Sequence, residues 1–162
     1  MVRDADIAIA VNRELDEAAG SELVGQLAME AQAFTNDGDI ASVYSWMKAH
    51  VLYVRDSQRE DRFEFAPGYD RSNEPVEMAA AYYKGATLMG DCEDFAALCT
   101  ALYRWLGLDA HVVLLDFHGR GWEHAVCEVA SGPLGRSVMV DASTGDVPLG
   151  YPEGFVNRMV IR

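Results

Sequence analysis

This 162-residue sequence has few basic residues and no long hydrophobic run. Lysine and arginine number 13 against 26 aspartate and glutamate residues, which gives a formal net charge of −13. Such a charge repels phosphate backbones and anionic lipids, so neither nucleic acid nor a membrane is expected as a partner. A solvated surface explains these acidic residues more simply than an acidic recognition face does.

No stretch approaches the roughly 20 apolar residues that a membrane-spanning helix requires. The apolar run from Ile7 to Val11 has neither the length nor the flanks of a signal peptide. The three cysteines are odd in number and lack paired spacing, which is typical of a reducing compartment rather than of a disulfide framework. We therefore expect a cytoplasmic protein whose apolar half builds one sizeable core.

Apolar residues at helical spacing predict three helices in the N-terminal third. The first spans residues 4–19 and ends at Gly20, and the second runs into a turn signal at residues 35–38. The third starts at the capping residue Asp39. Its predicted buried stripe leaves Trp46 to one side and consists of Ile40, Val43, Met47 and Val51.

Helical periodicity is lost over residues 57–74, where charges of both signs crowd together. We expect a long loop there, either a lid or binding loop or a disordered segment. Pro75 then suits the first turn of a short helix. A well-marked helix should follow, starting at Asp91 and ending at Gly107 in a left-handed cap.

Four strand candidates follow this central helix, at residues 110–117, 123–130, 137–142 and 155–161. The connections between the first three are short enough for antiparallel hairpins. Helices that precede strands, rather than alternating with them, predict an α+β fold. We expect the N-terminal helices and the central helix to pack on a small antiparallel sheet.

One cysteine, Cys92, stands at the predicted start of the central helix. A thiol attacks as its thiolate, and an ordinary cysteine has a pKa of about 8.5. Unpaired N–H groups at a helix start carry roughly half a positive charge, which favours a thiolate and can stabilise an oxyanion. The carboxylates of Asp91, Glu93 and Asp94 oppose a thiolate, so Cys92 can act as a nucleophile only with a closer cation.

His124 can supply that cation, and Asp141 can orient it. An imidazolium within about 4 Å of the sulfur gains about 4 kcal/mol at an effective dielectric of 20, which exceeds the effect of a solvated carboxylate. Asp141 lies near the end of the strand candidate that follows that of His124, where its carboxylate could bond the second imidazole nitrogen. The combination predicts a catalytic triad of Cys92, His124 and Asp141.

Each member of the triad also has a simpler explanation. A cysteine is commonly a small residue of the hydrophobic core. A histidine in a strand is commonly a buried group whose hydrogen bonds are satisfied, and an aspartate at the end of a strand commonly stabilises a turn. Cys99 and Cys127 are expected to be packing residues, because Cys99 lies two turns after Cys92 in the helix interior and Cys127 should face away from His124. A metal site with Cys92, His118, His124 and Cys127 as ligands is the least favoured interpretation. His118 lies in a predicted loop, and Cys127 should face away from His124.

Four segments contain or adjoin the triad, GDCEDFA at residues 90–96, LGL at 106–108, EHAVCEV at 123–129 and VDAS at 140–143. The first two triad residues are separated by 32 positions and the last two by 17. This pattern resembles the transglutaminase-like superfamily of papain-like cysteine enzymes. Residues 46–56 also resemble the helix and extended segment that precede the cysteine loop in this family. More narrowly, the sequence is similar to transglutaminase-like proteins of phages and prophages.

The resemblance implies that the Cys92 helix packs against an antiparallel sheet bearing His124 and Asp141. It also implies acyl-thioester chemistry, with attack on an amide, protonation of the leaving amine by His124, and release of the acyl group to water or an amine. Small microbial members are more often regarded as peptidases or amidases than as cross-linking enzymes. We therefore expect a cysteine-dependent hydrolase that acts on peptide or isopeptide bonds of a peptide or protein substrate.

Two alternatives stay open: a transamidase using the same triad, and a catalytically silent transglutaminase-like module for binding or assembly. The family often has an upstream aromatic residue at its oxyanion site, for which Trp46 and Tyr53 are the candidates. No calcium loop of the alternating acidic type is found, so no metal or other cofactor is expected. We expect one transglutaminase-like domain over residues 1–162, with a helical extension over 1–38 and a catalytic core over 39–162.

Overall fold

The computed structural model describes residues 4–54, 74–131, 136–145 and 147–162. The helices are α1 (Asp4–Ala19), α2 (Glu22–Gln32), α3 (Asp39–His50), α4 (Pro75–Tyr83) and α5 (Cys92–Trp105). The strands are β1 (Val51–Tyr53), β2 (Leu88–Gly90), β3 (Ala110–Asp116), β4 (His124–Ser131), β5 (Arg136–Val140) and β6 (Asn157–Val160). The sequence predicted a long loop over residues 57–74. Residues 55–73 lie outside the described residues, so the structure describes only Glu74 of that loop.

The four later strands form one antiparallel sheet in the order β5-β4-β3-β6. Alternate residues of β3 and β4 face the helices and join the main core, while Val113, Leu115 and Val126 form a smaller cluster on the other face. The expected α+β fold, with a cysteine-bearing helix on a small antiparallel sheet, is confirmed. No helix in the described part of the chain has the length and apolar character needed to cross a membrane.

A second, two-stranded ladder lies just before the central helix, and neither of its strands was among the predicted strand candidates. Strand β1 pairs in parallel with β2, with Tyr53 opposite Gly90. The N–H of Val54 donates to the carbonyl of Gly90 at 2.8 Å and extends the pairing by one bond. This ladder anchors the chain immediately before Asp91, so the entry into α5 is held by a segment almost forty residues earlier in the sequence.

Helix α5 is buried on nearly all sides rather than along one stripe. Every residue from Asp94 to Tyr103 is buried, because the other four helices and the sheet all contact α5. The Tyr103 hydroxyl donates to the carbonyl of Ile40 at 2.7 Å. The helix ends before Gly107, whose φ of 80° confirms the predicted left-handed cap. The first turn of α5 is therefore positioned by the whole core.

Of the stripe predicted for helix α3, Val43 and Met47 are buried, and so is Val51, which begins β1 instead of continuing the helix. Trp46 is 1% exposed, whereas Ile40 is only half-buried. The indole of Trp46 stacks on His50 with ring centroids 4.7 Å apart and meets Tyr82 of α4 edge-on at 5.5 Å. The prediction that Trp46 lies off the buried stripe was wrong, because its partner Tyr82 belongs to a distant helix that the local pattern of α3 does not report.

Thr100, inside α5, is fully buried, and its hydroxyl has no hydrogen-bond partner among the described residues. A buried polar group without a partner costs about 1–3 kcal/mol. Thr100→Val keeps the shape of the side chain and removes that hydroxyl, so we expect the free energy of unfolding to rise by about 1 kcal/mol. Thr100→Ser keeps the hydroxyl and should lower it. Urea unfolding of both variants checks this, and a lower midpoint for Thr100→Val contradicts it.

Candidate active site

Cys92 is the first residue of α5 and is partly exposed. The preceding residue, Asp91, caps the helix, because its Oδ1 accepts from the N–H groups of Glu93 at 3.0 Å and Asp94 at 3.1 Å. In return, Asp94 Oδ2 accepts from the N–H of Asp91 at 3.1 Å. This reciprocal capping box holds the first turn of the helix without using the N–H of Cys92.

Gly90 makes this tight turn possible. A Cβ added at Gly90 would lie 2.6 Å from Cβ of Asp94, which is closer than packed atoms approach. We expect Gly90→Ala to separate Asp94 from Asp91, to lower the free energy of unfolding by about 1–2 kcal/mol and to slow alkylation of Cys92 by iodoacetamide.

Gly145→Ala is the matched control for this variant, because a Cβ at Gly145 meets nothing within 4 Å. Thermal unfolding and mass-spectrometric labelling of the two variants check the prediction. Equal behaviour of Gly90→Ala and Gly145→Ala would show that the close approach at Gly90 does not constrain the cysteine turn.

His124 and Asp141 are joined by a hydrogen bond of 2.7 Å between Nε2 and Oδ2. His124 is the first residue of β4, and Asp141 directly follows β5. The side chain of Asp141 is 1% exposed, and its remaining contacts fix its orientation. Oδ1 accepts from the N–H and hydroxyl of Ser143 at 3.0 and 2.7 Å, and Oδ2 accepts from the hydroxyl of Thr144 at 2.8 Å.

Ser143 and Thr144 are contacts that the sequence prediction missed. Serine and threonine two or three positions after an aspartate are a signal for a local turn in which these residues donate to the carboxylate. That signal was available, but it equally fits an aspartate that serves only the turn. The 2.7 Å bond to His124 distinguishes the two cases.

The charge of His124 follows from these contacts. Burial disfavours the protonated ring, but hydrogen bonds with Asp141 and Cys92, and attraction to both, raise the pKa of His124 from its ordinary 6.5 to about 9. Burial also acts to raise the pKa of Asp141, yet hydrogen bonds from His124 and Ser143 outweigh it and lower that pKa. At neutral pH the pair is therefore imidazolium and carboxylate. Because Nε2 faces Asp141, Nδ1 is the nitrogen left for Cys92.

The other two cysteines are core residues, as the sequence predicted. Cys99 is 2% exposed and Cys127 is 0% exposed, and their side chains hydrogen-bond to each other. Burial raises the pKa of Cys99 well above its ordinary value, so this thiol stays protonated. Cys127 is thus unavailable to the metal site considered above, and His118 bonds to Glu123 instead at 2.8 Å. Within the described ranges, no group of three or more His, Cys, Asp or Glu side chains could hold a metal ion.

The two aromatic residues suggested for an oxyanion site lie in different surroundings. Trp46 is enclosed in the core and offers almost no surface to a substrate. Tyr53 ends β1, is 43% exposed and meets the ring of Phe95 edge-on at 6.2 Å. Phe95 lies one turn after Cys92, so Tyr53 is the aromatic residue that the fold places next to the cysteine turn.

The model of the transglutaminase-like superfamily matches residues 30–142, more than half of the chain. The chain belongs to the transglutaminase-like superfamily. The resemblance seen in the sequence is thereby confirmed, and the matched stretch includes Cys92, His124 and Asp141 while leaving α1 outside.

Solved structures show similar folds. A candidate cysteine protease from Cytophaga hutchinsonii is 19% identical with a TM-score of 0.50, covering 74% of this chain and 36% of that one. A TGase is 17% identical with a TM-score of 0.48, covering 94% and 35%. A candidate protease from Parabacteroides distasonis is 12% identical with a TM-score of 0.48, covering 90% and 31%. This transglutaminase-like chain thus spans about a third of the length of these structures. No curated protein matches it.

Proposed function

We propose that this transglutaminase-like chain is a cysteine-dependent hydrolase of amide bonds that acts through an acyl-thioester on Cys92. The observation that carries the proposal is the position of His124, which bonds to buried Asp141 at 2.7 Å and whose pKa is raised by its interactions with both Asp141 and Cys92. A nucleophile, a base and a group that orients the base are the elements of a triad. Family membership alone leaves the activity open, because such a fold can serve functions other than catalysis.

In the acylation step, the thiolate of Cys92 attacks the carbonyl carbon of the amide. The C–N bond then breaks, and His124 gives its proton to the departing amine. The oxygen that becomes negative in the tetrahedral intermediate needs donors near the start of α5, and the N–H of Cys92 is free of the capping box. The products of this step are a thioester, an amine and a neutral histidine.

In the deacylation step, the neutral His124 accepts a proton from water while the water oxygen attacks the thioester. The C–S bond breaks, the acid leaves, and the thiolate and imidazolium are restored. Asp141 stays ionised throughout and accepts from Nε2, so that Nδ1 remains directed at Cys92. If an amine took the place of water, the same residues would catalyse transamidation.

Casein with its amines blocked by dimethylation can distinguish these reactions. We expect new amino groups or ammonia to form in the presence of the protein, and Cys92→Ser, which retains Cys99 and Cys127, to abolish them. Incorporation of monodansylcadaverine would indicate transamidation instead. A peptide containing a γ-glutamyl-lysine bond tests isopeptide cleavage in the same way. Products that form equally with Cys92→Ser would contradict the proposal, and an unreactive Cys92 would favour a binding or assembly module.

The cytoplasmic location, the phage association and the peptide or protein substrate stay predictions.

A further inference from the structure

Helix α1 precedes the family-matched stretch but is bonded to the segment that leads into the strand of His124. The indole N–H of Trp122 donates to Oδ1 of Asp4 at 2.8 Å, across 118 positions of sequence. Trp122 lies two residues before His124, just ahead of β4. The matched stretch starts at residue 30, so Asp4 belongs to a part of the chain that the family does not account for.

Contacts other than the bond to Asp4 fix the ring of Trp122 and the backbone beside it. Its ring is half-buried and packs against the main core. The next residue, Glu123, donates its N–H to the carbonyl of Leu115 at 2.9 Å, and its carboxylate bonds to His118. The ring and the backbone beside it are thus tied to the core and to β3, and Asp4 supplies the contact to the polar end of the indole.

Only Glu123 separates Trp122 from His124, and its N–H is bonded to β3, so a displacement of Trp122 has a short backbone path to His124. A shift of Trp122 would therefore move the backbone that positions the His124 ring between Asp141 and Cys92. Reacting groups tolerate little displacement, and a misplacement of about 1 Å can cost on the order of 10²-fold in rate.

Helix α1 stays docked without Asp4. Leu15 and Ala18 are buried in the core, the carbonyl of Ala18 accepts from the indole of Trp105 at 2.8 Å, and Asn12 donates to the carbonyl of Arg162 at 3.1 Å. The bond from Trp122 can thus be removed without releasing the helix, which makes its local effect measurable.

We propose that Asp4 and Trp122 are positioning residues for His124, through which the N-terminal helix forms part of the catalytic site. This inference rests on the function proposed above for Cys92 and His124. Neither residue touches the reacting atoms, and both act by holding the start of β4.

The test uses Asp4→Ala, Trp122→Phe and the double variant. We expect each single variant to shift the His124 ring signals in a nitrogen-15 NMR spectrum, assigned with His124→Ala, and to slow Cys92 alkylation at pH 6.5 about 3- to 10-fold. The double variant should be no slower than the single ones, because both break the same bond. Asp4→Asn keeps an oxygen acceptor and should restore most of the rate.

Asn12→Ala is the matched control, since it removes another exposed hydrogen bond of α1 at a site far along the helix. It should leave the His124 signals in place, and the ring signals of His111 should stay unchanged in every variant. Unchanged His124 signals in Asp4→Ala and Trp122→Phe, or multiplicative effects in the double variant, would overturn the inference. If native Cys92 is instead alkylated like an ordinary thiol, the proposed function fails, and the His124 signals still decide the positioning role.

Discussion

Asp141→Asn should reduce Cys92-dependent amide hydrolysis by about 10³–10⁴-fold while the chain stays folded. The carboxylate accepts from Nε2 of His124 at 2.7 Å and holds Nδ1 toward the sulfur. An amide of the same shape can offer its NH₂ group to the ring, which favours the wrong tautomer and removes the charge that stabilises the imidazolium. Initial rates of amine release from dimethylated casein measure the loss, and circular dichroism verifies the fold.

Asp116→Asn is the matched control for this substitution, because Asp116 is also buried at 4% exposure. Its carboxylate accepts from Asn157 and from three successive N–H groups of the β3–β4 turn, and these bonds outweigh burial and lower its pKa to about 2. A lowered pKa contributes stability above the unfolded value near 4, and that contribution is lost as pH falls toward 2. Asp116→Asn should therefore weaken folding at neutral pH but spare the chemistry of Cys92. An equal loss of hydrolysis in both variants would assign the effect to general destabilisation.

Iodoacetamide should modify Cys92 at pH 6.5 about 10- to 100-fold faster in the native protein than in His124→Ala. An ordinary thiol, with a pKa of about 8.5, is only about 1% thiolate at this pH. The raised pKa of His124, about 9, keeps an imidazolium beside the sulfur from low pH up to about pH 9. That positive charge should favour alkylation in the native protein, and removing the ring in His124→Ala should remove the advantage.

Cys99 and Cys127 provide the control inside the same molecule. Both are buried and should stay unmodified in the folded protein, so mass spectrometry can report all three cysteines in one experiment. The raised pKa of His124 also makes the stability of the fold depend on pH. A histidine whose pKa is raised by folding contributes stability that is complete below about pH 6.5 and is lost as pH rises through about 9. A Cys92 labelling profile that is identical with and without His124 would contradict the activated pair.

Local signals in the sequence were sufficient for much of the fold. Helix α5 starts after a capping aspartate and ends before a glycine with positive φ, and both features are written in adjacent residues. The antiparallel hairpins follow from short connections between β-rich runs, and the candidate triad residues could be selected because each has a residue type suited to its proposed role. Capping, turn formation and alternation depend on contacts within a few positions, which is why a single sequence displays them.

Only the tertiary structure decided which distant groups meet. The pairing of β1 with β2, the burial of Trp46 against Tyr82 and the bond from Trp122 to Asp4 join segments that no local pattern connects. The same is true of the site, where His124 bonds to Asp141 across 17 positions and reaches Cys92 across 32. Such contacts depend on how whole elements pack into one core. The sequence by itself determined the helices, the four strands of the main sheet and the candidate residues, and packing determined their neighbours.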